Sequence, residues 1–251
     1  MTKIAITGAC GRMGRVISAL INDRVDTIVC AGIDKLAERY SGFEVVKSVF
    51  DLPEKPDVLI DFSHPSALPD LLSYCKMNAV PLVIGTTGYS DEEKQQITAA
   101  SAQIPVFFTF NMSLGINLLA ELAKKATQVL GGQFDIEIVE KHHNRKKDAP
   151  SGTAIMLAEA INGELDNKYH PVYDRHSILK PRDKDEIGMH SVRGGTIVGE
   201  HEIIFAGHDE IITLSHSALS REVFAVGAVN AAVFLAGKPS GLYAMGDLIA
   251  D

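Results

Sequence analysis

From Glu140 to Ala154 the chain runs Glu-Lys-His-His-Asn-Arg-Lys-Lys-Asp-Ala-Pro-Ser-Gly-Thr-Ala. His142 and His143 are adjacent, and Lys141, Arg145, Lys146 and Lys147 place four cations within seven residues. Imidazole titrates near neutrality, so a histidine here can give or take a proton, with charge supplied by the lysines. Ser151, Gly152 and Thr153 then open a helical run with small residues. A helix start exposes backbone N–H groups, and beside Ser and Thr hydroxyls it suits an anion such as a carboxylate. A solvated basic loop would account for the cations but not for the Pro150-Ser151-Gly152-Thr153 that follows them. Zinc fits poorly, because neighbouring histidines diverge and neither an HExxH pair nor a cysteine partner accompanies them. A hydrolase nucleophile fits poorly too, since the chain has no GxSxG turn.

A second chemistry is written near the start. Gly8, Gly11 and Gly14 follow the apolar run Lys3–Thr7, with Ala9, Cys10, Arg12 and Met13 between them. Glycines so placed allow a positive φ, a close backbone approach to a pyrophosphate and tight helix–strand packing. The spacing is GxxGxxG rather than GxGxxG, and in isolation a tight structural turn would also explain it. Asp34 ends the next apolar run, where a carboxylate would accept hydrogen bonds from an adenosine ribose. Lys35 beside it, helped by Arg12, would attract a 2′-phosphate, so use of both NADH and NADPH is expected. Gly85-Thr86-Thr87-Gly88, Asp61-Phe62-Ser63 and Thr109-Phe110-Asn111-Met112 end further apolar runs. Ordinary turn material singly, they share the carboxyl edge of a sheet, where such folds bind ligands.

The elements that must position these groups change character midway. Lys3–Thr7, Thr27–Ile33, Val58–Asp61, Leu82–Ile84 and Val106–Phe108 read as short buried strands. Helical patterns separate them: one reaching about Ile21, one over Ser66–Met77, and one over Asp91–Ser101 with a Ser90–Glu93 capping box. This alternation predicts a parallel sheet with right-handed crossovers. After Asn111 a long helix is expected over Leu114–Leu130, then a strand over Asp135–Lys141 and a helix over Ser151–Ile161. A charged loop over Asp166–Asp185 follows, then strands Gly188–Arg193, Thr196–Ala206 and Glu210–Ser217, and a helix over Arg221–Leu235. The reading is α/β: a Rossmann-like doubly wound domain over 1–112 and 218–251, with an inserted α+β domain over 113–217 whose sheet is mainly antiparallel.

Composition narrows the function. The 251 residues carry 24 Lys plus Arg against 32 Asp plus Glu, a net charge of −8, which argues against a nucleic-acid binder. Tryptophan is absent and aromatics are 6%, so base-stacking platforms are not expected. Cys10, Cys30 and Cys75 show no CxxC spacing and fit a reducing compartment. The apolar run after Met1 is too short for a signal peptide, and Pro105 and Asn111 interrupt the uncharged window 95–120. A cytoplasmic protein is expected.

The string from Glu140 to Ala154 resembles the signature of the 4-hydroxy-tetrahydrodipicolinate reductase (dihydrodipicolinate reductase) family. Gly8–Gly14, Asp61-Phe62-Ser63, Gly85–Gly88, Phe110–Ser113 and Lys238–Tyr243 resemble the same family, so the likeness spans essentially the whole chain. It implies NAD(P)H-dependent reduction of a cyclic imine-type dicarboxylate on the route to diaminopimelate and lysine. It implies His142 as proton donor and acceptor and Lys146 as a second donor, with His143, Ser151, Gly152 and Thr153 at the substrate carboxylates. Gly8, Ala9, Cys10, Gly11, Arg12, Met13, Asp34, Lys35, Gly85, Thr86, Thr87, Thr109, Phe110, Asn111 and Met112 would line the cofactor. It further implies a homotetramer built through the second domain's sheet; no metal is expected, since zinc fits these residues poorly. Another two-domain dehydrogenase, or a dinucleotide sensor, would share the glycine turn but would not need the His-His-Lys segment.

Overall fold

The computed structural model describes residues 1–36 and 42–250. The first unit begins with β1 (Thr2–Thr7), α1 (Arg12–Asn22), β2 (Thr27–Ile33), β3 (Val45–Val46), β4 (Val58–Asp61), α2 (Leu68–Asn78), β5 (Leu82–Ile84), α3 (Asp91–Ala100) and β6 (Pro105–Phe108). α4 (Leu114–Leu130) leads into β7 (Asp135–His142), α5 (Gly152–Gly163), β8 (His170–Val172), β9 (Glu186–Arg193), β10 (Gly199–Ala206) and β11 (Ile211–Ala218). The chain finishes with α6 (Glu222–Leu235), β12 (Gly241–Tyr243) and α7 (Met245–Ala250). Two compact units result, Met1–Leu114 with Glu222–Asp251, and Gly115–Arg221. The second crossing lies after Arg221 rather than after residue 217, because β11 stays paired through Ala218, opposite Gly199. Residue 251, the end of the expected first domain, lies outside the described residues.

In the first unit the sheet order is β12-β6-β5-β4-β1-β2-β3, with every pairing parallel. Strand alternation divides the core in two. Ile4, Ile6, Val58, Ile60, Val83 and Phe107 face the cluster that includes Ile17 and Ile21 of α1 and Ala228 and Leu235 of α6. Ala5, Leu59, Leu82, Ile84 and Val106 face the other, with Leu71 and Cys75 of α2 and Ile97 of α3. Burial on both faces is why these strands read as continuous apolar runs. The helix expected from Ser66 splits into a 3₁₀ turn at Pro65–Ala67 and then α2. Pro69 has no N–H to return to the Pro65 carbonyl, so the first turn cannot be α-helical throughout. Ser90 and Glu93 form the expected capping box on α3.

In the second unit the sheet order is β11-β10-β7-β9-β8. β10 pairs antiparallel with β7 and β11, whereas β9 runs parallel to β7 and β8. The sheet is therefore mixed, antiparallel only on the β7-β10-β11 side. The crossover through α5 leads into β8, and the loop after it returns β9 parallel to both β8 and β7. Ile136, Ile138, Ile187, Met189, Ile203 and Phe205 pack with α4 and α5 in a third cluster. β7 alternates strictly, so Glu140 and His142 lie on that helix-covered face, beyond its apolar part.

Candidate active site

At the end of β1 the chain turns at Gly8, whose φ of +76° is left-handed. A Cβ at Gly8 would stand 2.3 Å from the Phe62 carbonyl oxygen, and one at Gly14 would stand 2.2 Å from the Gly8 carbonyl oxygen. Both obstacles are backbone, so a side chain at Gly8 would push the turn off the segment after β4, and one at Gly14 would force α1 away from the turn. Gly11 donates to the Gly8 carbonyl at 3.0 Å and precedes α1 without a side chain to cover the helix's first amides. A bare, positively polarised helix end behind a tight turn fits a diphosphate. Asp34 accepts from the Cys10 amide at 3.0 Å and the Leu36 amide at 3.1 Å, which fixes its carboxylate against the same turn. Lys35 and Arg12 are exposed, Ala9 and Cys10 are buried, and Met13 packs partly against the core.

The other strand ends contribute unequally. The Gly85 and Thr86 amides donate to the Asp61 carbonyl at 2.8 and 3.1 Å. Gly85 has no room for a side chain, since a Cβ would lie 2.2 Å from the Phe62 ring. Thr86 is buried, and its Oγ1 accepts from the Ser63 amide at 2.8 Å, so this hydroxyl serves the loop itself while Thr87 is exposed. Thr109 donates to the Asn111 carbonyl at 3.3 Å, and Asn111 Oδ1 accepts from the Ser113 amide at 2.8 Å. The Phe110 ring is exposed, whereas the Met112 side chain is in the core, leaving only its backbone for a ligand. Asp61, given no role from the sequence, is wholly buried beside the Ser63 and Tyr89 hydroxyls. Burial pushes its carboxyl up, against the pull of those hydroxyls.

In the second unit the His-Lys segment is built around an acid. Glu140, only 1% exposed, accepts from Arg193 through both oxygens, at 2.6 and 2.8 Å, and from the Ser151 amide at 3.1 Å. His142 Nδ1 lies 2.5 Å from its Oε2. Burial alone would raise the Glu140 carboxyl; hydrogen bonds from Arg193, Ser191 and His142 outweigh it and hold the group at about 2. Burial pushes His142 below its ordinary range, with Lys146 and Arg193 adding to that and Glu140 opposing it. The other end of the ring, Nε2, lies over Gly199, where a Cβ would stand 3.1 Å away.

Lys146 pairs with Asp148 at 2.8 Å, and the Asp148 carbonyl accepts from Arg193 at 2.8 Å. The Nδ1 of His143 is enclosed without a partner among the described residues. Ser151 is buried and caps α5: its Oγ accepts from the Ala154 amide at 3.1 Å and meets His201 Nε2 at 3.0 Å. Its polar atoms thus serve the cluster, whereas Gly152 is exposed and Thr153 partly so at the start of α5. Burial, with His142 adding to it, lowers His201 to about 4, so it is neutral at physiological pH.

A doubly wound sheet with a glycine cradle, joined to a unit carrying a histidine–carboxylate–cation cluster, is the build of a dinucleotide-dependent oxidoreductase. The family described as "Dihydrodipicolinate reductase, N-terminus" matches residues 2–112, and "Dihydrodipicolinate reductase, C-terminus" matches residues 115–249. The 4-hydroxy-tetrahydrodipicolinate reductase of Caldanaerobacter subterraneus subsp. tengcongensis is 51% identical over 249 residues, covering 99% of this chain and 98% of that one. That of Clostridium novyi is 47% identical over 250 residues, covering 99% and 98%. Among solved structures, the dipicolinate-bound dihydrodipicolinate reductase of a Paenisporosarcina species superposes with a TM-score of 0.81 at 27% identity, covering 97% of both chains. A myo-inositol dehydrogenase from Corynebacterium glutamicum, at 16% identity, TM-score 0.58 and coverage of 92% and 86%, shares the fold. The chain belongs to the dihydrodipicolinate reductase family.

Proposed function

We infer that this protein reduces 4-hydroxy-tetrahydrodipicolinate to tetrahydrodipicolinate with NADH or NADPH, a step toward diaminopimelate and lysine. One observation carries the reading. A carboxylate-bound histidine, a lysine and the N-terminus of α5 are gathered at one end of the second unit's sheet. The relative from Paenisporosarcina was solved with dipicolinate, a planar dicarboxylate, which agrees with an anion site of this kind. When bound, the reduced nicotinamide supplies a hydride, and exchange of a ring hydroxyl for hydrogen then takes up one proton and releases one water.

The chain's residues divide the rest. His142, held by Glu140 through Nδ1, delivers the proton from Nε2 and leaves as a neutral ring. Lys146, aimed by Asp148, adds positive charge and a second proton source. His143 and the Gly152 and Thr153 amides take the carboxylates, while Ser151 acts through the cap and Glu140 rather than on the ligand. In the first unit Gly8, Gly11 and Gly14 admit the diphosphate, and Asp34 takes the ribose. The bare outer face of the second sheet, with Val139, Val192, Ile204 and Ile211 partly or fully exposed, supports a homotetramer closed through that face. A sedimentation mass of four chains is the expected reading. Cys10, Cys30 and Cys75 are thiols outside any disulfide, which suits the cytoplasm.

The direct test is oxidation of NADH and NADPH, followed by absorbance, with substrate generated in the assay. Turnover with competitive inhibition by dipicolinate is expected, and no substrate-dependent oxidation with either cofactor would refute the reading. Lys35→Ala is expected to raise the KM for NADPH about 2- to 30-fold more than that for NADH, as for one charge contact at an exposed site. An equal loss for both would detach Lys35 from the 2′-phosphate.

A further inference from the structure

One buried carboxylate touches both halves of the candidate site. Glu140 faces the Nδ1 of His142 with one oxygen and accepts the Ser151 amide, at the cap of α5, with the other. Arg193 occupies a position on each oxygen, so with His142 and Ser151 four contacts surround the group and keep it ionised. We propose that Glu140 is the positioning residue of this enzyme, fixing the ring proton of His142 on Nδ1 and pinning the capping residue of α5 through the same carboxylate.

An ionised carboxylate only accepts, so the His142 nitrogen it meets must carry the hydrogen. The neutral ring then presents its lone pair at Nε2, where a proton can be loaded and given up. In a triad the equivalent loss of a carboxylate puts the imidazole in the wrong tautomer and costs activity although the geometry survives. The other charged or titratable groups facing the ring do not compete for Nδ1. Arg193 is committed to Glu140, Lys146 to Asp148, and His201 is turned edge-on at 5.2 Å with its Nε2 on Ser151. Gly199 leaves the ring its seat over β10. The sequence already held the signal: on a strand, residues two apart share a face, and Glu140 stands two before His142.

This proposal rests on the reading of His142 as proton donor, so its test separates the two. Long-range ¹H–¹⁵N correlation spectra of histidine-labelled protein report the tautomer, with His142 assigned by its loss in His142→Gln. Wild-type protein above the His142 titration is expected to show hydrogen on Nδ1, a measurement that needs no Glu140 variant to fold. In Glu140→Gln the hydrogen is expected to move to Nε2 and the His142 titration to fall to lower pH, because the attracting anion is gone. The kcat of that variant is expected to drop by up to about 10⁴-fold, the scale for a triad that loses its orienting carboxylate. Hydrogen on Nε2 in the wild type, or an unchanged tautomer and titration in Glu140→Gln, would overturn the proposal. Spectra that move while kcat holds would leave Glu140 in control of His142 and remove His142 from the proton transfer, which is failure of the underlying reading alone.

Discussion

Replacing His142 with Gln is expected to lower kcat by about 10²–10⁴-fold with little change in the KM for the dicarboxylate. Glutamine can fill the space and donate a hydrogen bond, but it cannot give up a proton at neutral pH. A group needed only in the transition state costs kcat, whereas one that merely holds a carboxylate raises KM. The pH profile sharpens the expectation. Burial keeps His142 below its ordinary value in the free protein, and a donor must be protonated before it acts. The kcat/KM of the wild type should therefore fall as pH rises through that lowered value. A bound dianion favours the imidazolium, so the same limb in kcat should lie at higher pH. Both limbs should vanish in His142→Gln. A variant with normal kcat at saturating substrate would assign the proton to another group.

The fold was legible where a local pattern had a physical cause. Val58–Asp61 and Leu82–Ile84 stand as read because burial on both faces leaves an unbroken apolar run. Helix α4 was legible as a long run closed by Gly131-Gly132, and α3 from the Ser90–Glu93 box. β3, β8, β12 and α7 were missed, and each is only two to six residues long. Segments that short carry no period, and neighbouring strands decide their conformation. The parallel pairing of β9 with β7 was hidden for a related reason. It depends on how the chain returns after α5 and the charged loop, which no window of a few residues records.

The candidate site divides in the same way. His142, Lys146, Gly152 and Thr153 were visible because they lie in one contiguous string, and Gly8 and Gly14 because backbone would collide with any other residue. Arg193, Gly199 and His201 come from β9 and β10, and only strand register brings them to His142 and Glu140. Nothing within a few residues of Arg193 distinguishes it from any surface arginine. Ser151 and Thr86 were visible as hydroxyls, but their inward direction follows from the cap on α5 and from the Ser63 amide. Chemistry that is local in sequence can be read there, and chemistry assembled by register cannot.

Removing the arginine that register supplies should be the most damaging change to stability. Arg193→Ala leaves Glu140 buried and ionised without its cation, with the neutral Ser151 amide, the Ser191 hydroxyl and His142 beside it. Breaking one side of a buried pair costs about 3–5 kcal/mol, because the remaining charge is left uncompensated. Arg193, Ser191 and His142 together hold the wild-type carboxyl below its ordinary range against the effect of burial. A loss of about 3 kcal/mol at pH 7, read from urea unfolding, is expected. The sign with pH follows from linkage. A lowered carboxyl contributes stability that is fully present above 4.5 and lost as pH falls through about 2. Without Arg193, burial raises the carboxyl instead, so in the variant it protonates early and sheds its penalty. The gap between variant and wild type should therefore narrow steadily from pH 7 toward pH 3. A gap that stays constant would mean that Arg193 acts through its contacts to the Val192 and Asp148 carbonyls rather than through charge. Arg193→Lys separates these further: it restores a cation but not the two-pronged contact, so it should recover only part of the loss.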